Sequence, residues 1–453
     1  MLFMIALLKA RFSGMADYKK KLLKIFIPLM LSSLISQLQM MIDRIFLGRL
    51  DILYMSAVGN AMNPVWTTMS FVFSLSIGAS ILVSQAVGEK NLDKAKEITA
   101  SLVKFHNIVP FVLFLFWMFF SKLVFELLGV TDPVVMKYCI TYARIYSPVF
   151  LIIGLGSSYT VILQTSNYTK PLAIYSAIRS AANIILDWLL IFGNCGFPRM
   201  EIAGAALGTT IAEFVGAVYL GYYVISRRKK FLTGPGIRQI LSAKIIPYLK
   251  SVKLGINAAL EDLLWNVGNL CIIRILNSIN SQAAGIYSMV FTVEVLFVVV
   301  FCAIGNGVMT LTGEATGAKD LTLYRRVVGT SVRWSCYVAG SALIISSIWP
   351  KIVLGLFTTN QAVIDQSVIY VILVCVNMFG KLGNIIVGNG IRGYGDTKWM
   401  LMTQIIGTVQ VVVLACLFVF VFKFGMLGVF FAVIADELLR SIINTIRFFR
   451  IKF

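Results

Sequence analysis

One histidine, His106, in 453 residues leaves almost no room for imidazole chemistry. A zinc site or an acyl-transfer triad needs partners that the sequence does not supply, and His106 reads as a helix-end residue near the membrane interface. Charge is as scarce: 13% of residues are Asp, Glu, Lys or Arg, where water-soluble chains carry about 25%. That excludes an ordinary soluble enzyme. Cysteine is sparse and unpatterned. Cys139, Cys271, Cys302, Cys336, Cys375 and Cys416 lie inside apolar segments and Cys195 in a short loop, with no CxxC motif, so neither disulfide nor metal site is read from them. Acid is scarcer than base, 20 residues against 40. The excess sits in short loops between apolar runs and not on one soluble face, which points to a membrane and to no nucleic-acid partner. Residues 1–14 hold too short an apolar stretch to span a bilayer and no small-residue cleavage site; no signal peptide is read there, and Met1 or Met15 can serve as the start.

What is abundant is apolar: 58% of the chain is hydrophobic, in recurring runs of about 20 residues, the length that crosses a bilayer core. Twelve spans are read near 23–47, 54–86, 100–121, 134–160, 171–193, 203–225, 248–275, 284–312, 327–350, 364–391, 399–422 and 427–448. None alternates as a barrel strand would, so the fold class is an all-α membrane protein. With the amino terminus inside, the inside segments carry 29 Lys and Arg and the outside loops six, which places both termini in the cytoplasm. The stretch 226–253, with eight basic residues and no acid, contains the TGPG break at 233–236 and reads as a linker.

An internal repeat organises the rest. IGASILVSQAVGEKN (77–91) matches IGNGVMTLTGEATGAKD (304–320), NYTKP (167–171) matches YGDTKW (394–399), and IAGAALGTTIAE (202–213) matches MLGVFFAVIADE (426–437). A six-helix unit is duplicated. The expected domains are an amino-terminal lobe at 1–230, a cytoplasmic basic linker at 231–250 and a carboxy-terminal lobe at 251–453. Six being even, the lobes are expected to be related by a pseudo-two-fold axis along the membrane normal, with substrate between them, which is transporter architecture.

Ionisable groups inside a bilayer cost several kcal/mol each and are functional candidates. Arg44, Arg144, Arg179, Arg274, Asp436 and Glu437 are read as helix-end residues that snorkel to the interface. The repeat then separates the remainder. Asp43 aligns with Ile273, Asn183 with Val411, Asp187 with Ala415 and Thr209 with Val433, so four oxygen-bearing residues of one half face four apolar ones in the other. Asn183 and Asp187, four apart, share a helix face. Two neighbouring buried carboxylates cannot both ionise cheaply and must take up a proton or a hard cation; the alternative is a hydrogen-bond network that only glues the bundle. In the second half, Lys381 needs an acid, and Glu261 is the expected partner. Asp262, its neighbour, points elsewhere, and Glu294 is a further buried acid.

These residues carry a family resemblance. PLMLSSLISQLQMMIDRIFLGRLD in the first span, IGASILVSQAVGEKN after the second, SAANIILDWLLIFG in the fifth, IAGAALGTT in the sixth and GNGIRGYGDTK after the tenth resemble the multidrug and toxic compound extrusion (MATE) transporters. The resemblance implies two six-helix lobes forming a V, alternating access, and antiport of organic cations against Na+ or H+ across the inner cell membrane, by a monomer with no cofactor. It implies an ion-coupling site at Asp43, Asn183, Asp187 and Thr209, with Tyr142 nearby; the first four would also be the Na+ ligands. Pro28 resembles a proline tied to first-helix bending in the DinF-like and archaeal branch. Lys381 stands about where the NorM-like branch carries an acid, so the chain resembles the first branch more closely. Two rivals are a lipid-linked oligosaccharide flippase of the same superfamily, whose cavity would be lined with cations to hold pyrophosphate, and a membrane-embedded enzyme, for which no HExxH, GxSxG or comparable motif is present.

Overall fold

A computed structural model of the chain describes residues 16–48, 50, 52–279, 283–355 and 360–453. Arg49, one of the six basic residues of the outside loops, the starts at Met1 and Met15, and the side chain of Arg44 lie outside the described residues. Among the described residues the regular elements are all helical. The first repeat comprises α1 (Asp17–Gly48), α2 (Ile52–Gly88), α3 (Leu92–Phe105), α4 (Ile108–Leu127), α5 (Pro133–Tyr146), α6 (Val149–Thr165), α7 (Lys170–Phe192) and α8 (Glu201–Ser226). The linker holds a short α9 (Ile237–Ser242). Then come α10 (Ile246–Ile279), α11 (Ala283–Gly317), α12 (Leu321–Ile348), α13 (Pro350–Gly355), α14 (Gln361–Leu382), α15 (Gly388–Tyr394), α16 (Thr397–Cys416) and α17 (Met426–Arg450). A π-helical turn, Gly383–Val387, joins α14 to α15.

Eight described helical segments are long and apolar enough to cross a membrane, or nine if α5 and α6, bent by 44° at their junction, form one span. The helices α10, α12 and α17 have the length, 34, 28 and 25 residues, but carry charge within it: Glu261 and Asp262, Arg333, and Asp436, Glu437 and Arg440. The protein is thus an all-α, multi-pass membrane protein.

The sequence repeat returns as backbone geometry. Lys90 and Lys319, 229 positions apart, both have positive φ (59° and 54°). Each precedes an N-cap whose side chain accepts from a backbone N–H three residues on, Asn91 from Lys94 and Asp320 from Leu323, a device worth about 1 kcal/mol per helix. Asn167 (φ 60°) corresponds to Gly395 (φ 103°) in the same way, and Glu201 (φ 53°) to Gly425 (φ 57°). The chain clusters into two compact units, one of residues 27–87 and 91–259, the other of 88–90, 260–453 and the described part of 1–26. The first packs Trp117, Phe125, Phe150 and Tyr146 in its core. The core of the second contains Phe301, Met378, Val411 and Ala415, with Val433 against it. Three of its four apolar replacements for the first repeat's oxygen-bearing residues, Val411, Ala415 and Val433, are therefore packing residues.

Candidate functional site

In the first unit, α1, α7 and α8 bring the predicted polar residues together. Asn183 and Asp187 are fully buried on one face of α7. Asn183 donates from Nδ2 to Asp187 Oδ1 (3.3 Å) and to Thr209 Oγ1 on α8 (3.2 Å), and Thr209 in turn donates to the Ala205 carbonyl (2.9 Å). Asp43, from α1, lies within hydrogen-bonding reach of Asp187 and Gln39. A contact between two carboxyls needs a proton or a cation between them. Asp43 Oδ1, Asn183 Oδ1 and Asp187 Oδ2 are buried and have no hydrogen-bond partner, so the cluster presents acceptors to something that donates. Asp187 fits only because position 208 is glycine: a Cβ there would stand 2.3 Å from Asp187 Oδ1.

This cluster forms part of the wall of a cavity of about 340 Å³, lined by Asp43, Thr209, Tyr142, Tyr146, Met62, Met69, Trp66 and Phe73 among others. That volume lies within the range of small-molecule sites. Tyr142 stacks on Tyr146 (5.9 Å, 12°) beside the cluster. The helices α1 and α7 meet through polar rungs at helical spacing: Ser32 with Ser176 (2.5 Å), Ser36 with Arg179 (2.7 Å) and Gln39 with Ser180 (2.9 Å).

Arg179 corrects an expectation. It does not snorkel at a helix end; it is largely buried at the cavity wall, paired with Glu213 on α8 at 2.5 Å, while Tyr175 also donates to Glu213 (2.8 Å). A guanidinium with two acceptors in reach gains more there than at the interface. The signal was available in sequence, since Tyr175, Arg179, Asn183 and Asp187 follow one another at intervals of four along one face.

The second unit holds the larger corrections. Lys381 is buried as expected, but its partner is Glu294 of α11 at 2.9 Å, and not Glu261. Asn377 also donates to Glu294 (3.0 Å), and the ammonium lies 5.5 Å from the Phe291 ring centre. Glu261 is taken by Arg392 of the RG dipeptide, at 2.5 Å. Asp436 and Glu437 are not helix-end residues either: both are buried and share Arg440 (2.9 and 3.3 Å), which also donates to Gln404 (2.7 Å). Arg144 and Arg274 are exposed, as a snorkelling role requires. His106 stands at a helix end but is fully buried, with Nδ1 3.4 Å from the Tyr248 hydroxyl.

The repeat register pairs Arg179 with Gly407, and Glu213 and Gly216 with Glu437 and Arg440. Both glutamates keep a guanidinium, from α7 in the first unit and from α17 in the second. At each vacated position a glycine makes the room. A Cβ on Gly407 would stand 2.4 Å from Arg440 Cδ, and one on Gly216 would stand 2.7 Å from Tyr175 Cε2 and 3.2 Å from Arg179 Cβ. No group of three or more His, Cys, Asp or Glu able to hold a metal occurs among the described residues; hard-cation ligands here would have to include Asn183 and Thr209 oxygens.

Comparisons with known proteins agree with this architecture. The MatE family profile matches residues 28–189 and 258–417. The chain is 25% identical over 434 residues to a probable multidrug resistance protein NorM of Thermotoga maritima, covering 95% of this chain and 92% of the relative. It is 24% identical over 411 residues to the uncharacterized transporter YisQ of Bacillus subtilis, covering 88% and 89%. Its fold matches a crystal structure of a MATE protein in a straight conformation with a TM-score of 0.88, at 17% identity and 96% coverage of both chains. With the family profile spanning most of both repeats, the chain belongs to the MatE family of multi-pass membrane transporters.

Proposed function

We propose that the protein is a secondary active antiporter that exports organic cations in exchange for Na+ or H+, by alternating access of twelve spans in two six-helix lobes. One observation carries the reading. Glu213, Glu261, Glu294, Asp436 and Glu437 each have a Lys or Arg within 3.3 Å; Asp43 and Asp187 have none among the described residues, and face each other. In the outward-facing state these two, with Asn183, Thr209 and neighbouring Tyr142, take up the ion and lose net charge. A cationic substrate held until then by the carboxylates and by the Trp66, Met62 and Met69 walls is released. Ion and substrate must exclude one another or prefer different states, because equal affinity for both states shifts nothing.

Neutralised acids in the second unit, Glu261 and Glu294 above all, support the DinF-like and archaeal pattern over the NorM-like one. The flippase reading gains no support, since Arg179 at the cavity wall is engaged by Glu213 and Ser36. The test is dye accumulation in everted vesicles under imposed Na+ or pH gradients, for wild type, Asp43→Asn and Asp187→Asn. Wild type responds to one gradient, which names the ion, and each variant loses the response while remaining folded in the membrane. Undiminished gradient-driven accumulation by both variants would overturn the assignment.

A further inference from the structure

Between the spans α8 and α10 the chain does not loop freely. Thr233 is fully buried and acts as a hub: its carbonyl accepts from Thr99 (2.7 Å), and its hydroxyl meets Thr165 (3.0 Å) and Ser166 (2.9 Å). A second anchor follows. Ser101 donates to the Lys244 carbonyl (2.7 Å), and Lys104 closes the end of α9 through the Leu241 and Ala243 carbonyls (2.6 and 3.1 Å). The segment is thereby fixed against α3 and the end of α6, between α8 and α10.

Its exposed side chains are both basic and apolar. Arg227, Lys229, Lys230, Arg238 and Lys244 are exposed, and Arg227 lies over the Tyr223 ring at 4.6 Å. Interleaved with them, Leu232, Ile237, Leu241 and Ile245 are 46, 56, 71 and 42% exposed. No acid occurs in 226–253; the acids of the neighbouring α3, Asp93 and Glu97, lie in its first turns beside Lys94 and Lys96. A soluble anion would satisfy the charges and leave the apolar side chains in water, whereas a nucleic acid or peptide would have to approach a segment tied to the bilayer surface.

We propose that segment 227–246 is a seat for anionic phospholipid. Lys229, Lys230 and Arg238 hold the phosphodiester, and Leu232, Ile237, Leu241 and Ile245 follow the glycerol and upper acyl chain. Each basic residue near an anionic bilayer contributes about 1 kcal/mol, and the pinned backbone has already lost the freedom that a flexible linker would lose on binding.

Native mass spectrometry of the purified full chain, titrated with short-chain phosphatidylglycerol or phosphatidylcholine, tests this. Wild type takes up phosphatidylglycerol in preference. The triple variant Lys229→Ser, Lys230→Ser, Arg238→Ser weakens that uptake by at least about tenfold, while Lys229→Arg with Lys230→Arg keeps it. Ile237→Ser with Leu241→Ser weakens it with charge unchanged, and decides the matter if the triple variant fails to insert. Equal uptake of the two lipids, wild-type uptake by the serine variants, or displacement by excess inorganic phosphate would overturn the proposal; the last would make the ligand a free anion.

Discussion

Position 208 shows how little freedom the site has. Gly208→Ala would push a methyl against the Asp187 carboxylate, and overpacking of this kind costs about 1–3 kcal/mol. The expected outcome is a lowered melting temperature and a loss of gradient-driven efflux. Gly340→Ala, where a Cβ meets nothing within 4 Å, should leave efflux intact and stabilise slightly; equal behaviour of the two variants would contradict the argument. The Lys381 pairing is testable in the same way. Leaving a buried charge alone costs about 3–5 kcal/mol, so Lys381→Ala should be rescued in part by Glu294→Gln and not by Glu261→Gln, measured as coupling in two double-mutant cycles of stability. The cluster of Asp43, Asn183, Asp187 and Thr209 was legible in sequence because the second repeat replaces all four at once, which marks them as a set. The partner of Lys381 was not. Glu261, Glu294 and Arg392 lie on three different helices, and which of them faces a given lysine depends on helix rotation that no local spacing encodes.

At the scale of elements, the turns were the most legible part. The EKN and AKD stretches at 89–91 and 318–320 fold into the same positive-φ turn and cap because both problems, ending one helix and starting the next, are solved locally. Of the twelve spans read from apolar length, eight or nine return among the described residues as helices long and apolar enough to cross a membrane. Burial of charge within the spans was not legible, since Asp436 and Glu437 sit one helical turn from Arg440 and read equally well as a surface cluster. The linker break at TGPG was visible, but not that Thr233 would be its fastening point. Thr233→Val keeps the shape and removes a hydroxyl that joins Thr165 and Ser166. Thr165 keeps the Val161 carbonyl and Ser166 keeps the Thr233 N–H, so what is lost is the bonds themselves, about 0.5–1.5 kcal/mol each, and a lowered melting temperature is expected. Ser242→Ala, at an exposed hydroxyl, should stay within about 0.5 kcal/mol of wild type. Equal melting temperatures for the two would remove Thr233 from this role.

For the whole molecule, the charge count still makes one prediction about sides. Cys195, exposed in the loop after α7, should react with an impermeant maleimide added outside intact cells, and a cysteine placed by Ser242→Cys in the linker should react only in everted vesicles; the reverse pattern would invert the topology. The repeat also has a consequence that its alignment conceals. Compared column by column, the two halves show an arginine lost at Gly407 and another gained at Arg440, and both count as divergence. As an interaction nothing was lost: the glutamate kept its guanidinium, and the glycine moved to whichever helix had to yield. Gly407→Arg or Arg440→Gly alone should destabilise, and the two together should recover a substantial part of that loss, as coupled sites do. What the duplicated halves hold in common is then a bond whose two ends can be supplied by different letters, so similarity between such halves has to be counted over pairs of positions.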